Sequence, residues 1–292
     1  MTERKALVVE AVRTAAHMLC ARWCKKAILI YQEVVKHIEP FLNHPDQKRM
    51  PENMYFEFNN VSYAYGETKA LRSLSFSASK GQIVGLIGEN GAGKSTAIKN
   101  IVRFIKPDKG IILLDGMDIQ TIKIETYPVS YIPDVPVFYE ELSLLEHLQF
   151  MKSLFPDNNT SVDDLVSLFD MQEHKYKIPS ALSMGTRKKL SISMALLRDF
   201  DMLIADEPFT GLDPSQISVL KRALLNLKNS GKLILLSSHL LDVVESICDR
   251  YVILKKGSLL ADGTKKELLL REGFPETASM ETLYLRLAKQ YE

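Results

Sequence analysis

The chain has 292 residues, 46% hydrophobic and 25% charged, with 37 Lys and Arg against 36 Asp and Glu for a formal net charge of +1. This is a globular composition with ample apolar material for a core, and it lacks the basic excess that electrostatic binding to nucleic acid requires. Three cysteines, Cys20, Cys24 and Cys248, are too few for a disulfide framework, and no run approaches the ~18 apolar residues needed to span a bilayer.

Residues 1–50 lack glycine and have no proline before Pro40, which favours long helix. Ile28, Tyr31, Val35, Ile38 and Leu42 recur at heptad spacing, and Leu7, Ala11, Ala15, Met18 and Leu19 extend an apolar face. Lys25, Lys26, Glu33 and Lys36 lie largely off it. The spacing predicts an amphipathic helical extension that folds onto its own domain, docks on a membrane subunit or lies at a membrane surface. Arg13, Arg22, Lys25 and Lys26 interrupt the apolar run too often for a secretory signal. Cys20 and Cys24, one helical turn apart with no second pair nearby, do not make a metal site.

A domain begins at residue 54 and runs to 292. Tyr65, before Gly66, reads by itself as a core or turn aromatic. The apolar run Ile83–Ile87 predicts a buried strand. It leads into Gly88, Glu89, Asn90, Gly91, Ala92, Gly93, Lys94, Ser95 and Thr96, followed by the helical pattern Ile98, Ile101, Val102, Ile105. A glycine-rich loop between strand and helix turns several backbone N–H groups inward and adds the helix's positive end, a cradle for β- and γ-phosphates. Lys94 would bridge those phosphates and Ser95 would place its hydroxyl on Mg2+, while Thr96 contacts the α-phosphate or caps locally.

Residues 143–177 are helical by pattern, with Leu144, Leu145, Leu148 and Phe150 as apolar positions and a loop around Pro156 to Thr160. Ser183 stands before an amphipathic run, Thr186 to Met194, and is expected to cap that helix. Met202 to Pro208 reads as a buried strand ending in two acids, which a parallel sheet delivers to its ligand crevice. Asp206 would face Mg2+ and Glu207 would polarise an attacking water; standing alone, the same acids would read equally well as solvated loop residues. His239, after the strand Leu233 to Leu236, would alone read as a surface or capping histidine. Asp262, Gly263, Thr264 and Glu267 form a turn and capping box, and Leu283, Tyr284 and Leu287 end the chain in a helical tail over about 265–292. So short a tail is expected to carry no regulatory module.

The order of these motifs resembles the ATP-binding subunit of an ABC transporter, over Tyr55 to about Thr264. Tyr65 matches the family's adenine-stacking aromatic, Leu182 to Thr186 its signature, Gly211 to Asp213 its D-loop and His239 its switch histidine. The resemblance implies an α/β fold: a P-loop NTPase mixed-sheet core with an antiparallel β subdomain and a helical subdomain at about 135–195, beyond the N-terminal extension. It implies two ATP molecules sandwiched in a head-to-tail dimer, a homodimer by preference, with Ser183, Gly185 and Asp213 meeting the nucleotide of the partner copy. It also implies integral membrane permease subunits as partners, docked on the helical subdomain, and a place on the cytoplasmic face of the cell membrane.

Two positions depart from the family pattern. Met184 stands where glycine is usual and is expected to crowd the opposing nucleotide, and Thr186 replaces glutamine. Asp134, in Tyr131 to Asp134, occupies the place of a glutamine that touches Mg2+; one methylene shorter, it would reach the metal's water shell. The expected activity is ATP hydrolysis that energises transport, with a flavour of drug, peptide or bacteriocin exporters. A soluble ATPase of the same type in a non-transport complex is the alternative.

Overall fold

Three five-residue runs set the centre of the fold: β3 (Ile83–Ile87), β7 (Met202–Asp206) and β8 (Leu233–Ser237) are each buried along their whole length. Strands that read as unbroken apolar runs belong in a parallel sheet covered on both faces, because alternation would leave one face wet. The computed structural model describes residues 54–290, so the helical extension expected over residues 1–50, with Cys20 and Cys24, lies outside the described residues. In the described part these strands form a six-stranded sheet in the order β10-β9-β3-β8-β7-β6, with β6 (Val129–Ile132), β9 (Arg250–Lys255) and β10 (Ser258–Gly263). Strands β6, β7, β8, β3 and β9 run parallel, and β10 closes one edge antiparallel. The opposite edge, β6, is four residues long and bracketed by Pro128 and Pro133.

Side chains alternate across this sheet and feed two cores. Ile83, Ile87, Leu203, Ala205, Ile234 and Leu236 join the core formed with the helices that follow β6. Val84, Leu86, Met202, Ile204, Leu233 and Leu235 point the other way, into a core shared with a second, four-stranded sheet of order β2-β1-β4-β5. That antiparallel sheet comprises β1 (Met54–Tyr65), β2 (Thr68–Ser79), β4 (Lys109–Leu114) and β5 (Met117–Asp118). Its buried face carries an aromatic cluster in which Phe58 and Phe76 stack with centroids 4.9 Å apart and Phe56 tilts against both.

The helices are short and mostly capped as the residues suggest. Helix α1 (Lys94–Ile101) stops before Val102 and Ile105, which the periodicity had included; Arg103 takes a left-handed φ of 63° and ends the ladder. Between β6 and β7 lie α2 (Leu144–Leu154), α3 (Val162–Leu168) and α4 (Met184–Leu196). Ser143 and Glu146 cap α2 reciprocally, and Ser183 Oγ accepts from Thr186 N at 3.2 Å to open α4. After β7 come α5 (Pro214–Asn229) and, past β8, the short α6 (Leu241–Glu245). Thr264 and Glu267 make the expected capping box for α7 (Lys265–Arg271), and α8 (Met280–Gln290) forms the helical tail. Asp262 and Gly263 are not the expected turn. They close β10, paired with Val252 and Tyr251, and Asp262 takes an ion pair from Arg250 at 2.7 Å.

Truncating Phe58, 1% exposed and stacked on Phe76, leaves a cavity in the smaller sheet's core. Phe58→Ala is expected to lower unfolding stability by about 3–5 kcal/mol, read as a lower urea midpoint at unchanged slope.

Candidate functional site

Parallel strands deliver their C-terminal ends to one side, and here β3, β7 and β8 end abreast: Leu86 pairs with Ser237, and Asp206 with Ser237. Ligands of open α/β sheets bind outside those ends. The loop after β3 curls so that Lys94 Nζ donates back to Gly88 O at 2.6 Å and Glu89 O at 3.1 Å, and Ala92 N to Glu89 O at 3.0 Å. Gly93 has a φ of 105°, and a Cβ there would meet Ala70 O of β2 at 2.7 Å. No residue with a side chain fits both demands, so the loop runs flush against the β1–β2 hairpin and opens α1 with its N–H groups free. Gly91 and Ser95 lie on the exposed side of this loop, Thr96 on the buried side. Burial lowers the Lys94 pKa, and the nearby carboxylates of Glu207 and Asp206 pull it back up.

Asp206 is buried, and Ser237 Oγ donates to its Oδ1. The next residue, Glu207, adopts a left-handed φ of 45°, a strained conformation for a residue with a long side chain. Its amide donates to Ser237 O at 3.1 Å and lies 3.2 Å from Ser237 Oγ. That kink brings Glu207 Oε2 to 2.8 Å from His239 Nδ1, and His239 N donates to the same oxygen at 3.3 Å. Two residues 32 apart in sequence are thereby joined at the mouth of the phosphate loop.

Among the described residues no three His, Cys, Asp or Glu side chains come together to hold a metal by themselves. The hydroxyl of Ser95, at the start of α1, and the carboxylate of Asp206, at the end of β7, are the oxygens the sequence assigns to a metal. That set suits Mg2+, which is held by one or two protein oxygens together with substrate phosphates and water. Asp134 is exposed just after β6, and its contact with the core is through its backbone carbonyl, which accepts from Lys188 Nζ at 3.2 Å.

The signature turn lies against the segment after Glu207. A Cβ on Gly185 would meet Gly211 O at 2.7 Å, so this position needs glycine for the close approach. Met184 is 73% exposed, and its Sδ would lie 3.3 Å from a Cβ on Gly211, so its side chain leans over that segment as well as projecting outward. Ser183 Oγ is engaged in capping and lies 2.9 Å from Thr186 Oγ1. Asp213 caps α5, accepting from Gln216 N at 3.0 Å and from Ser215 Oγ at 2.6 Å. Tyr65, half-exposed, closes the β1–β2 hairpin with its ring edge-on to Tyr63.

Two residues at the site escaped the sequence reading. Ser237 ties together the ends of β7 and β8, and only its position at the end of the Leu233–Leu236 run hinted at it. Lys188 is 3% exposed, and its place on the buried stripe Lys188, Ser191, Ile192, Ala195 was a readable signal, since a lysine on a buried face needs partners.

The sequence model described as ABC transporter matches residues 71–210. The ABC-type transporter ATP-binding protein EcsA of Bacillus subtilis is 37% identical over 237 residues, spanning 79% of this chain and 95% of that protein. The Nod factor export ATP-binding protein I of Rhizobium etli is 31% identical, over 76% of this chain and 73% of the relative. A solved ATP-binding subunit of an ABC transporter superposes with a TM-score of 0.73 at 35% identity, covering 80% of this chain and 99% of that one.

Gly93→Ala puts a methyl group into Ala70 O at a strained φ. It is expected to weaken ATP binding by at least about tenfold, measured by titration of the purified chain with a fluorescent ATP analogue, with little change in far-UV circular dichroism.

Proposed function

The chain belongs to the ABC transporter family as an ATP-binding subunit, which hydrolyses ATP to energise transport through separate membrane-spanning subunits, and we propose how its own residues do so and in which kind of system. The family's ATP-binding domain binds ATP and works with membrane permease components. The observation that carries the residue assignments is the Glu207–His239 contact beside Asp206, at the mouth of the loop whose lysine is Lys94.

Lys94 bridges the β- and γ-phosphates, the backbone N–H groups of Gly88 to Thr96 cradle them, and Tyr65 stacks on the adenine. Ser95 and Asp206 would hold Mg2+, with Asp134, exposed just after β6, as a further carboxylate on that side. When bound, Mg2+ neutralises phosphate charge. Glu207 accepts a hydrogen bond from the attacking water and aims it, and His239, fixed on Glu207 Oε2, keeps that carboxylate in place and adds a donor near the γ-phosphoryl. Catalysis of this kind is positioning plus electrostatic stabilisation, with no covalent step assigned to the protein. Ser183 and Gly185 at the start of α4, with Asp213, complete the site on a second copy in a head-to-tail homodimer. Met184 projects from the same turn and limits how closely the two copies approach.

The permease partner docks beside β6. A groove there is lined by Phe104, Tyr131, Val137, Phe138 and Met194, and Val135, Val137 and Tyr139 on the adjoining loop are largely exposed. An apolar surface of that kind beside the nucleotide site suits a short helix of a membrane subunit. Among the described residues no helix is long and apolar enough to cross a membrane. Through that partner, we place the chain on the cytoplasmic face of the cell membrane. Export is the direction we assign, on the likeness to an export ATP-binding protein.

Glu207→Gln is expected to abolish turnover while leaving ATP affinity within about twofold and trapping the dimer, measured by phosphate release, ATP titration and size-exclusion chromatography in ATP; near-normal turnover would sink the role given to Glu207. Tagged Glu207→Gln protein, recovered from detergent-solubilised native membranes in ATP, is expected to bring an integral membrane protein with it. Soluble partners alone would favour a non-transport complex.

A further inference from the structure

Lys188 sits in the second turn of α4 with its ammonium among three backbone carbonyls: Pro133 O at 2.9 Å, Asp134 O at 3.2 Å and Asp206 O at 3.3 Å. Three N–H protons meet three acceptors, so this buried cation is fully hydrogen-bonded. The third acceptor matters most. Asp206 C=O and Glu207 N–H belong to one peptide group, whose N–H end is bound by Ser237 O at 3.1 Å. The peptide that sets the left-handed φ of Glu207 is therefore gripped at both ends, by β8 on one side and by α4 on the other.

From this geometry we propose that Lys188 is a positioning residue for ATP hydrolysis: it holds the Asp206–Glu207 peptide in its strained orientation and ties that orientation to the helix that begins at the signature turn. A purely structural anchor for α4 would not need a charge. An apolar side chain of similar length would fill the same space without the desolvation that a buried ammonium suffers. Carbonyl groups demand a donor, and three of them converging from two strand ends demand an ammonium rather than an amide, which offers two protons. With the clamp removed, the peptide can rotate, the φ of Glu207 relaxes and its carboxylate leaves His239. Because Pro133 and Asp134 share the same ammonium, a shift of the loop after β6 or of α4 reaches Glu207 through one side chain. The loop after β6 is also the edge of the apolar groove assigned to the membrane partner, so the clamp lies between docking face and water-positioning carboxylate.

The inference rests on the role given to Glu207, and the test separates the two. Lys188→Gln, Lys188→Arg and Glu207→Gln are made in the full chain and compared with wild type by ATP titration, steady-state hydrolysis and hydrogen–deuterium exchange. Lys188→Gln is expected to lower kcat at least about tenfold with Kd for ATP and KM within about twofold, and Lys188→Arg to recover part of that loss. In the same variant, exchange is expected to rise in the peptides covering 133–139 and 206–212 and to stay unchanged in β1 and β2. If Lys188→Gln keeps wild-type kcat, or its exchange matches wild type in both segments, the proposal is wrong. Should Lys188→Gln fail to fold, Lys188→Arg decides, because the displaced guanidinium must still alter kcat or exchange at 206–212 if the grip matters. Glu207→Gln with normal turnover overturns the role of Glu207 instead, while the exchange data still report whether Lys188 holds the peptide.

Discussion

A sheet buried on both faces leaves its strand ends as the place for polar chemistry, and in this molecule those ends are fastened together by Ser237. Its hydroxyl reaches the Asp206 carboxylate and its carbonyl holds the Glu207 amide. Everything at the site depends on that lateral tie between β7 and β8. The phosphate loop emerges from β3, hydrogen-bonded to β8 on the next lane of the sheet, so the loop, the acids and the histidine share one rigid base. Hydrogen bonding across parallel strands fixes their stagger, and the side chains at their ends inherit it.

The elements that carry the candidate site are largely legible in the sequence because they are written in local runs. The glycine-rich loop, the apolar strand ending in Asp206 and Glu207, and the Ser183 cap each occupy fewer than about ten residues, and each carries its own physical signature. What could not be read were contacts between distant segments. Nothing in the chain announces that Glu207 takes a left-handed backbone, or that His239 answers it from 32 residues away. The pattern also overran α1, because Ile105 continues the helical period while Arg103 breaks it. Asp262 and Gly263 carry turn chemistry that pairing with β9 and the ion pair to Arg250 override.

Charge is distributed with economy around the site. Lys94 and Lys188 are both buried, and both keep backbone carbonyls as partners. Burial lowers the pKa of each, whereas Asp206 and Glu207 raise both and Asp134 raises that of Lys188. Two ammonium groups therefore lie near the acids, one from the first residue of α1 and one from the helix after the signature turn. Carbonyl partners let Lys94 exchange one oxygen for another, which a fixed carboxylate partner would resist.

The edge strand β6 is four residues long and closed at each end by proline, at Pro128 and Pro133. Proline offers no N–H, and a strand this short presents little template for a foreign strand to extend the sheet. The exposed valines and tyrosine just beyond it therefore stand next to an edge that resists intermolecular β-pairing. Beside that edge the protein can display an exposed apolar face with less hazard of self-aggregation through its sheet.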